Sequence, residues 1–428
     1  MRAAYITAGA AGMYCGSCLQ DNALAAALLR DGHDVALVPT YTPMRTDEVD
    51  VSIDRVFYGA LNVYLEQKVP LFRVTPWLVD RMLNGRRLLG WISNLGSTTH
   101  ARDLGAMTLS VLQGEEGKQR KELEKLLDWL KKFRPEIVHL TNSMFVGFAR
   151  QIKRQLKVPV LCSVQGEDLF LQELVEPFRS RAHDTLRERA GDVDGFMATS
   201  RYYADFMADY LAIPKDRMHR VKLGLNLEGH GDSERESPCP PLVIGYLARI
   251  CPEKGLHLLV EAFRSLVGQT GREKVRLKIA GYLGSRDRAY LQGILSQLRS
   301  WGLEDLVEYV GEVDRRQKIE FLGSIHVLSV PTVYREPKGR FVLEALANGV
   351  PVVQPSHGAF PEMIQATGGG VLVDPGSPEA LAAALRALLE DPVRRRKLGR
   401  AGKAVVHRDY SDAAMAEQVV RLYRAYIG

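Results

Sequence analysis

The stretch "EPKGRFVLE", Glu336 to Glu344, sets two glutamates eight positions apart, with Pro337, Lys338, Gly339 and Arg340 between them. It follows an apolar run, "IHVLSVPTVY", and leads into the small-residue helix signal "ALANG". Pro337 and Gly339 bar a regular helix through Glu336. The spacing predicts a strand, a loop holding Glu336, and a helix starting near Gly339 or Arg340 with Glu344 about a turn inside it. A helix N-terminus offers free backbone N–H groups and a partial positive charge, which suits a phosphate. Gly339 would let backbone approach such a ligand closely. A carboxylate one turn in is placed to accept from sugar hydroxyls, and one before the helix could face the ligand's reacting end. The plainer alternative is a helix cap with incidental acids.

The alternation continues outward from that stretch. Upstream lie strand "LVIGYLA", helix "HLLVEAFRSLV", strand "VRLKIAG", helix "AYLQGILSQLRSWG", strand "VEYVG", helix "RRQKIEFLGS" and strand "HVLSVPT"; "PVVQPS" and "GVLVD" add two strands downstream. Such alternation implies a parallel sheet with helices on both faces. The first half repeats the theme in "RAAYITAGA", "CLQDNALAAALLRDGHDVALV", "KELEKLLDWLKKF", "EIVHLT", "VPVLCSV" and "GFMATS". Between the halves, the polar, proline-rich "GDSERESPCPP" reads as a linker. The expected fold class is α/β: two doubly wound domains, with ligands between the carboxyl ends of their strands. The expected boundaries are 1–230, a linker over 231–241, a second domain over 242–407, and a last helix over 408–428 that crosses back to the first domain.

The totals agree. With 428 residues, two cores are expected, since one rarely grows past roughly 250–300 residues. A charged fraction of 25% and a hydrophobic fraction of 46% fit an ordinary folded protein. The net charge of +6 is a mild excess of base. It suits anionic small ligands or a membrane surface and falls short of a nucleic-acid binder. No apolar run is long enough to span a membrane, and the N-terminus lacks the pattern of a signal peptide. Five scattered cysteines, an odd number, do not describe a disulfide framework. A reducing cytoplasm is the expected compartment, with peripheral contact at the inner membrane face as an option.

A second stretch carries chemistry. In "GYLARICPEKG", Gly245 to Gly255, Arg249 and Lys254 flank a turn set by Pro252 and Gly255. Two cations at a strand's end can hold a diphosphate, Arg by a fork and Lys as a point charge; alone they would read as solvated surface cations. Together with "VEYVGEV", "VPTVYREPKGRFVLEALANGVPVVQPSHGAFPEMI" and "GGGVLVDPGSPEALAAAL", these residues resemble the GT-B glycosyltransferases, specifically the retaining family 4 group. The resemblance covers nearly the whole chain and is strongest over 242–375. It implies that a nucleotide-diphosphate sugar is the donor and that no metal or other cofactor is required. Arg249 and Lys254 would bind the diphosphate and help the leaving group depart. Glu344 would hold the ribose, Glu336 would stabilise charge at the sugar, the backbone of Gly339, Arg340 and Phe341 would meet phosphate, and Val310 and Gly311 would lie near the base. The implied partner is a glycan, lipid-linked or small-molecule acceptor, with no nucleic acid.

The first half resembles the family more loosely. "ITAGAAGMYCGSCLQDNALAAALLRDGHDVALV" is similar to the family's glycine-rich first loop and helix, with Gly9 and Gly12 near the donor phosphates. "FYGALNVYLEQKVPLFR" resembles the bacterial glycogen and starch synthases, without their Lys-Thr-Gly-Gly loop. In "PVLCSVQGEDLF", Gln165 replaces the histidine of many relatives, leaving Glu167 or Asp168 to contact a sugar. Gln165, Glu167 and Asp168 are the acceptor-side candidates.

Other features take plainer readings. Cys15 and Cys18 could form a redox pair at a helix start, or simply shape the loop. Asp192 and Asp194 read as a turn before a strand, His33 as a turn residue, and His139 as core or supporting. The segment 76–96, with Trp77 and Trp91, fits an acceptor-side helical hairpin or an amphipathic membrane patch. The competing functions are a nucleotide-sugar 2-epimerase of similar fold, a non-catalytic sugar-nucleotide binder, and a nicotinamide-dependent oxidoreductase, which would need a G-x-G-x-x-G that neither half has.

Overall fold

The computed structural model describes residues 1–9, 15–58, 101–232 and 241–428. The chain forms two compact units, Met1–Gly224 with Asp412–Gly428, and Leu225–Ser411. Gly12, the segment 76–96, Cys239 and most of the expected linker lie outside the described residues.

The first unit runs β1 (Arg2–Thr7), α1 (Gly16–Arg30), β2 (Asp34–Pro39), α2 (Ala101–Leu112), α3 (Arg120–Phe133), β3 (Ile137–Leu140), α4 (Ala149–Leu156), β4 (Val160–Ser163), α5 (Glu167–Gln172), α6 (Phe178–Ala190), β5 (Gly195–Ala198), α7 (Arg201–Tyr210) and β6 (Met218–Arg220). Its strands are all parallel, in the order β2-β1-β3-β4-β5-β6. The strands are short apolar runs because helices cover both faces. Helix α3 buries Leu123, Leu126, Leu127 and Leu130, a 3.6-residue stripe, and stops where Arg134 turns left-handed.

The second unit runs β7 (Leu242–Leu247), α8 (Leu256–Thr270), β8 (Val275–Ala280), α9 (Arg288–Ser300), β9 (Val307–Gly311), α10 (Arg315–Ser324), β10 (Val327–Leu328), α11 (Arg340–Ala347), β11 (Val352–Pro355), α12 (Phe360–Thr367), β12 (Gly370–Val373), α13 (Pro378–Glu390) and α14 (Pro392–Asp409). Its parallel order is β12-β11-β10-β7-β8-β9. The strand order reverses between β7 and β10, and such a switch point is where doubly wound sheets bind ligands. The two stretches singled out from sequence leave the carboxyl ends of these two strands.

The last helix, α15 (Asp412–Ile427), belongs to the first unit. It buries Met415, Ala416, Val419, Val420 and Tyr423 against Tyr5, Leu28, Val35 and Leu161. The Tyr423 hydroxyl donates to Tyr5 and also bonds His139. The division of the chain falls at Gly224 rather than residue 230, and α15 begins at Asp412 rather than 408. The reason for the first shift is local. His230 and the Gly231 amide bond the Asn348 side chain, and Lys403 donates to the Gly231 carbonyl, so this segment packs with the second unit. Strand β10 is also shorter than the seven residues read from "HVLSVPT": it spans only Val327 and Leu328, of which Val327 pairs with β7 and Leu328 with both β7 and β11.

Candidate functional site

Two backbone turns bring the stretches together. Lys254 ends a single 3-10 turn that starts at Pro252, and Gly255 follows at φ +70°. A Cβ on Gly255 would stand 1.9 Å from the Pro331 carbonyl oxygen. That close approach presses the β7 loop against the segment leaving β10 and requires glycine. Gly339, at φ +64°, caps α11; a Cβ there would meet Met363 Sδ at 2.9 Å. Helix α11 therefore starts at Arg340, with Glu336 in the loop before it and Glu344 one turn in.

Lys254 Nζ donates to Glu336 Oε2 at 2.6 Å and to the Tyr334 hydroxyl at 2.6 Å. Tyr334 also donates to the same carboxylate oxygen. The other oxygen, Oε1, accepts from the backbone N–H groups of Lys338 and Gly339 at 3.3 and 3.2 Å. The Lys254 ammonium lies 4.9 Å from the Tyr334 ring centroid and 5.4 Å from that of Phe341, a cation–π cradle. Burial by itself would raise the Glu336 carboxyl; Lys254 and the hydrogen bonds outweigh it, and the group stays below the usual carboxylate range. Arg249 stands beside this cluster, its side chain 48% exposed, with Nε toward Cys251 Sγ at 3.3 Å.

Glu344 forms a second buried centre. Lys318 Nζ and Arg340 Nε both reach Oε1 at 3.0 Å. Both cations grip one oxygen, and no hydrogen bond among the described residues reaches Oε2. Burial would raise this carboxyl, but the Lys318 and Arg340 charges hold it down to about 2. On the next turn, Asn348 Nδ2 donates to the Glu344 carbonyl at 2.8 Å and pairs with His230. Burial lowers His230 to about 4.

Gly311 lies at the carboxyl end of β9, where its carbonyl accepts from Gly281 N at 2.8 Å. Val310, one residue earlier, is 43% exposed. Gly281 in turn abuts Ala248, beside Arg249, so the ends of β7, β8 and β9 form one row.

In the first unit, Gly9 follows β1 at φ +83°, and a Cβ there would stand 2.0 Å from the Thr42 carbonyl oxygen, so packing alone already demands glycine. Gln165 Nε2 donates to Asp21 Oδ1 at 3.0 Å and to the Thr141 carbonyl at 2.6 Å. Glu167 accepts from the amides of Ser143 and Gln165 at 3.0 and 2.6 Å. Asp168 accepts from the Tyr203 hydroxyl at 2.6 Å. All three are at most 9% exposed and lie just past the carboxyl end of β4, with Gln165 and Glu167 bonded to each other and Asp168 to Tyr203. Cys15 precedes α1, and Cys18 donates from Sγ to the Gly9 carbonyl. His139 is buried between Tyr423 and Ser163 and lowered to about 3 by that burial. Asp192 and Asp194 pair with Arg150 and Lys153 at a turn. Among the described residues, no group of His, Cys, Asp and Glu is placed to hold a metal ion.

The sequence reading missed Tyr334, Lys318, Gly281, His230 and Asn348. Gly281 ends an apolar run, a usable signal; Tyr334 and Lys318 have no spacing that marks them.

The family model "Glycosyl transferase 4-like domain" matches residues 22–224, and "Glycosyl transferases group 1" matches 233–405. The chain belongs to the family 4 glycosyltransferases. It is 26% identical over 287 residues to a D-inositol 3-phosphate glycosyltransferase of Segniliparus rotundus, covering 64% of this chain and 62% of the relative. It is 33% identical over 174 residues to a phosphatidyl-myo-inositol mannosyltransferase of Mycobacterium leprae, 40% of this chain and 43% of the relative. The chain thus spans roughly half of the length of these relatives. Among solved structures, sucrose-phosphate synthase of Thermosynechococcus elongatus superposes with TM-score 0.73 at 18% identity, over 99% of both chains. HepE of Anabaena, bound to UDP, gives 0.67 at 15%, over 99% of this chain and 100% of that one. At such identities the likeness is one of fold, and the fold shared is GT-B: two Rossmann-like domains.

Proposed function

We propose that this family 4 glycosyltransferase moves a sugar from a nucleotide-diphosphate donor to an acceptor hydroxyl with retention of configuration. The observation that carries the proposal is the junction at the β7/β10 switch point: a half-exposed Arg249, a Lys254 held on Glu336, and Glu344 with one oxygen gripped and the other open. In this reading the donor lies against the start of α11. Glu344 Oε2 accepts from the ribose, and Val310 and Gly311 flank the base. Arg249 and Lys254 neutralise the diphosphate as the bond between the sugar and its phosphate breaks. They supply the charge stabilisation a metal gives in other sites. Glu336 stays ionised beside the sugar, where positive charge develops. The acceptor oxygen attacks on the face the diphosphate leaves, and its proton departs with the leaving group. HepE, solved with UDP, lends support to a nucleotide donor.

The acceptor is a glycan, a lipid-linked sugar or a small molecule, with Gln165, Glu167 and Asp168 as its nearest candidates. The protein is proposed to act in the cytoplasm, with peripheral contact at the membrane face. No helix among the described residues is long and apolar enough to cross a membrane. The 2-epimerase alternative draws no support from the relatives named above, and neither does a binder without turnover.

The test is a thermal-shift panel with UDP, GDP, ADP, TDP and NAD, run beside Glu344→Ala. A ligand at 100 times its dissociation constant stabilises by about 2.7 kcal/mol. One nucleoside diphosphate should raise the melting temperature, and the variant should lose the shift. A response to NAD alone, or to no diphosphate, overturns the reading.

A further inference from the structure

Helix α14 carries Arg394, Arg395, Arg396, Lys397, Arg400, Lys403 and Arg408 against a single acid, Asp409. Its net charge of +6 equals that of the whole 428-residue chain, so the remaining residues balance to zero. One face of the helix is structural. Arg395, Gly399, Gly402 and Val406 are buried, and Arg395 donates to the Leu388 and Leu389 carbonyls at 3.1 Å. The opposite face is a continuous exposed stripe of Val393, Arg396, Lys397, Arg400, Ala404 and Arg408. Their spacing of three, four, seven, eleven and fifteen residues keeps them on one side of a rod about 27 Å long.

Four exposed arginines on other helices have an acid four residues away, Arg120 with Glu124, Arg316 with Glu320, Arg386 with Glu390 and Arg421 with Glu417, and exposed ones unpaired among the described residues, such as Arg154, Arg181 and Arg424, stand singly rather than in a row. The side chains of Arg396, Lys397 and Arg400 make no ion pair or hydrogen bond among the described residues. At the N-terminal end of the stripe, Val393 is 68% exposed.

We propose that this stripe docks on an anionic lipid surface. Three unneutralised cations, Arg396, Lys397 and Arg400, with an apolar residue at one end of the stripe and Arg408, paired with Asp409, at the other, suit charged headgroups, with valine entering the boundary between headgroup and acyl chain. Nucleic acid is the other polyanion with such charge. The helix exposes no aromatic ring to stack on a base and no amide to read one, and its histidine is tied to the Ala347 carbonyl. The surface lies wholly within the second unit, and the proposal stands whether or not the donor reading does.

The experiment is co-sedimentation of the full-length protein with phosphatidylcholine vesicles, with and without phosphatidylglycerol. Binding should require the anionic lipid and fall as salt rises. At roughly 1 kcal/mol per cation near such a surface, Arg400→Gln should lower the partition coefficient about fivefold. The triple Arg396→Gln, Lys397→Gln, Arg400→Gln variant should lower it about a hundredfold. A control triple, Arg120→Gln, Arg316→Gln and Arg421→Gln, should bind like the wild type. Circular-dichroism melts check that each variant is folded, and the single variant preserves the test if the triple is not. Vesicle binding that is absent, indifferent to the anionic lipid, or equal in both triples overturns the proposal. So does a stripe variant that loses binding to an RNA oligonucleotide while keeping the vesicles.

Discussion

The two units share an architecture, and the buried acids at the candidate sites of the two units have opposite kinds of partner. In the first, the partners described for Asp21, Glu167 and Asp168 are neutral: the Gln165 amide, the Thr7 and Tyr203 hydroxyls, and backbone N–H groups. In the second, Glu336 faces Lys254, and Glu344 faces Lys318 and Arg340. Neutral hydrogen bonds fix a shape and leave the charge in place. Ion pairs hold an acid ionised while keeping a cation at hand for an arriving anion. Under the donor reading proposed above, the second unit's pairs would trade partners with a phosphate, while the first unit's network would hold its loops in shape.

The largest effect should come from breaking the Lys254–Glu336 pair. Lys254→Ala should lower transfer by about a hundredfold to a thousandfold. If the two residues act as a unit, adding Glu336→Ala should cost little more. Rate measurements on both singles and the double decide this, and simple multiplicative losses would count against a shared role.

Gly255→Ala tests the junction itself. It drives a Cβ into the Pro331 carbonyl from a left-handed backbone, and should destabilise by about 3 kcal/mol or more in urea unfolding. A wild-type midpoint would mean that the two loops do not need their close approach.

The pH dependence sharpens the comparison. His230 is lowered to about 4 from an ordinary value of about 6.5. Between those values the unfolded chain binds a proton that the folded chain does not, so stability falls as pH drops from about 6.5 to about 4. The fall should reach about 2–3 kcal/mol for this residue, and His230→Asn should remove that share. His139 contributes in the same direction from the first unit, down to about 3. Glu344, held down to about 2, contributes stability that is complete above about 4.3 and lost as pH falls through 2. Unfolding curves at several pH values, with and without the substitution, check the order of these losses.

Gln165→Ala should cost about 1–3 kcal/mol by orphaning its buried partners. If the network also positions an acceptor, the variant's acceptor KM should rise while the donor KM holds. The smallest effect belongs to Lys318→Met. It removes one of two cations from Glu344 Oε1 and should weaken nucleoside diphosphate binding about tenfold, with little change in kcat. An unchanged donor affinity would leave Lys318 a purely structural role.

Much of this was legible in the chain. The alternating apolar runs named the strands, Pro337 and Gly339 ended the loop before α11, and Pro252 with Gly255 marked the turn after β7. These are local properties, set by backbone restrictions and by the periods of helix and strand. Pairings between distant positions were not legible. Lys318 is 26 residues from Glu344 and Lys254 is 82 from Glu336. Tyr334 was passed over because nothing in its neighbourhood distinguishes it from a core tyrosine. Gln165 read as an acceptor-side candidate, and the reach of its amide to Asp21 across 144 residues could not be read from its neighbours.

The sequence by itself determined which elements form, that they make parallel sheets, and which residue types stand at strand ends, because those follow from local sterics and burial period. The tertiary structure alone decided that β7 and β10 are neighbours, and hence that Lys254 meets Glu336. It also decided that α15 returns to the first unit, through Tyr423 stacking its hydroxyl between Tyr5 and His139. Strand order is a matter of which apolar faces fit together once the chain collapses. No local pattern encodes it.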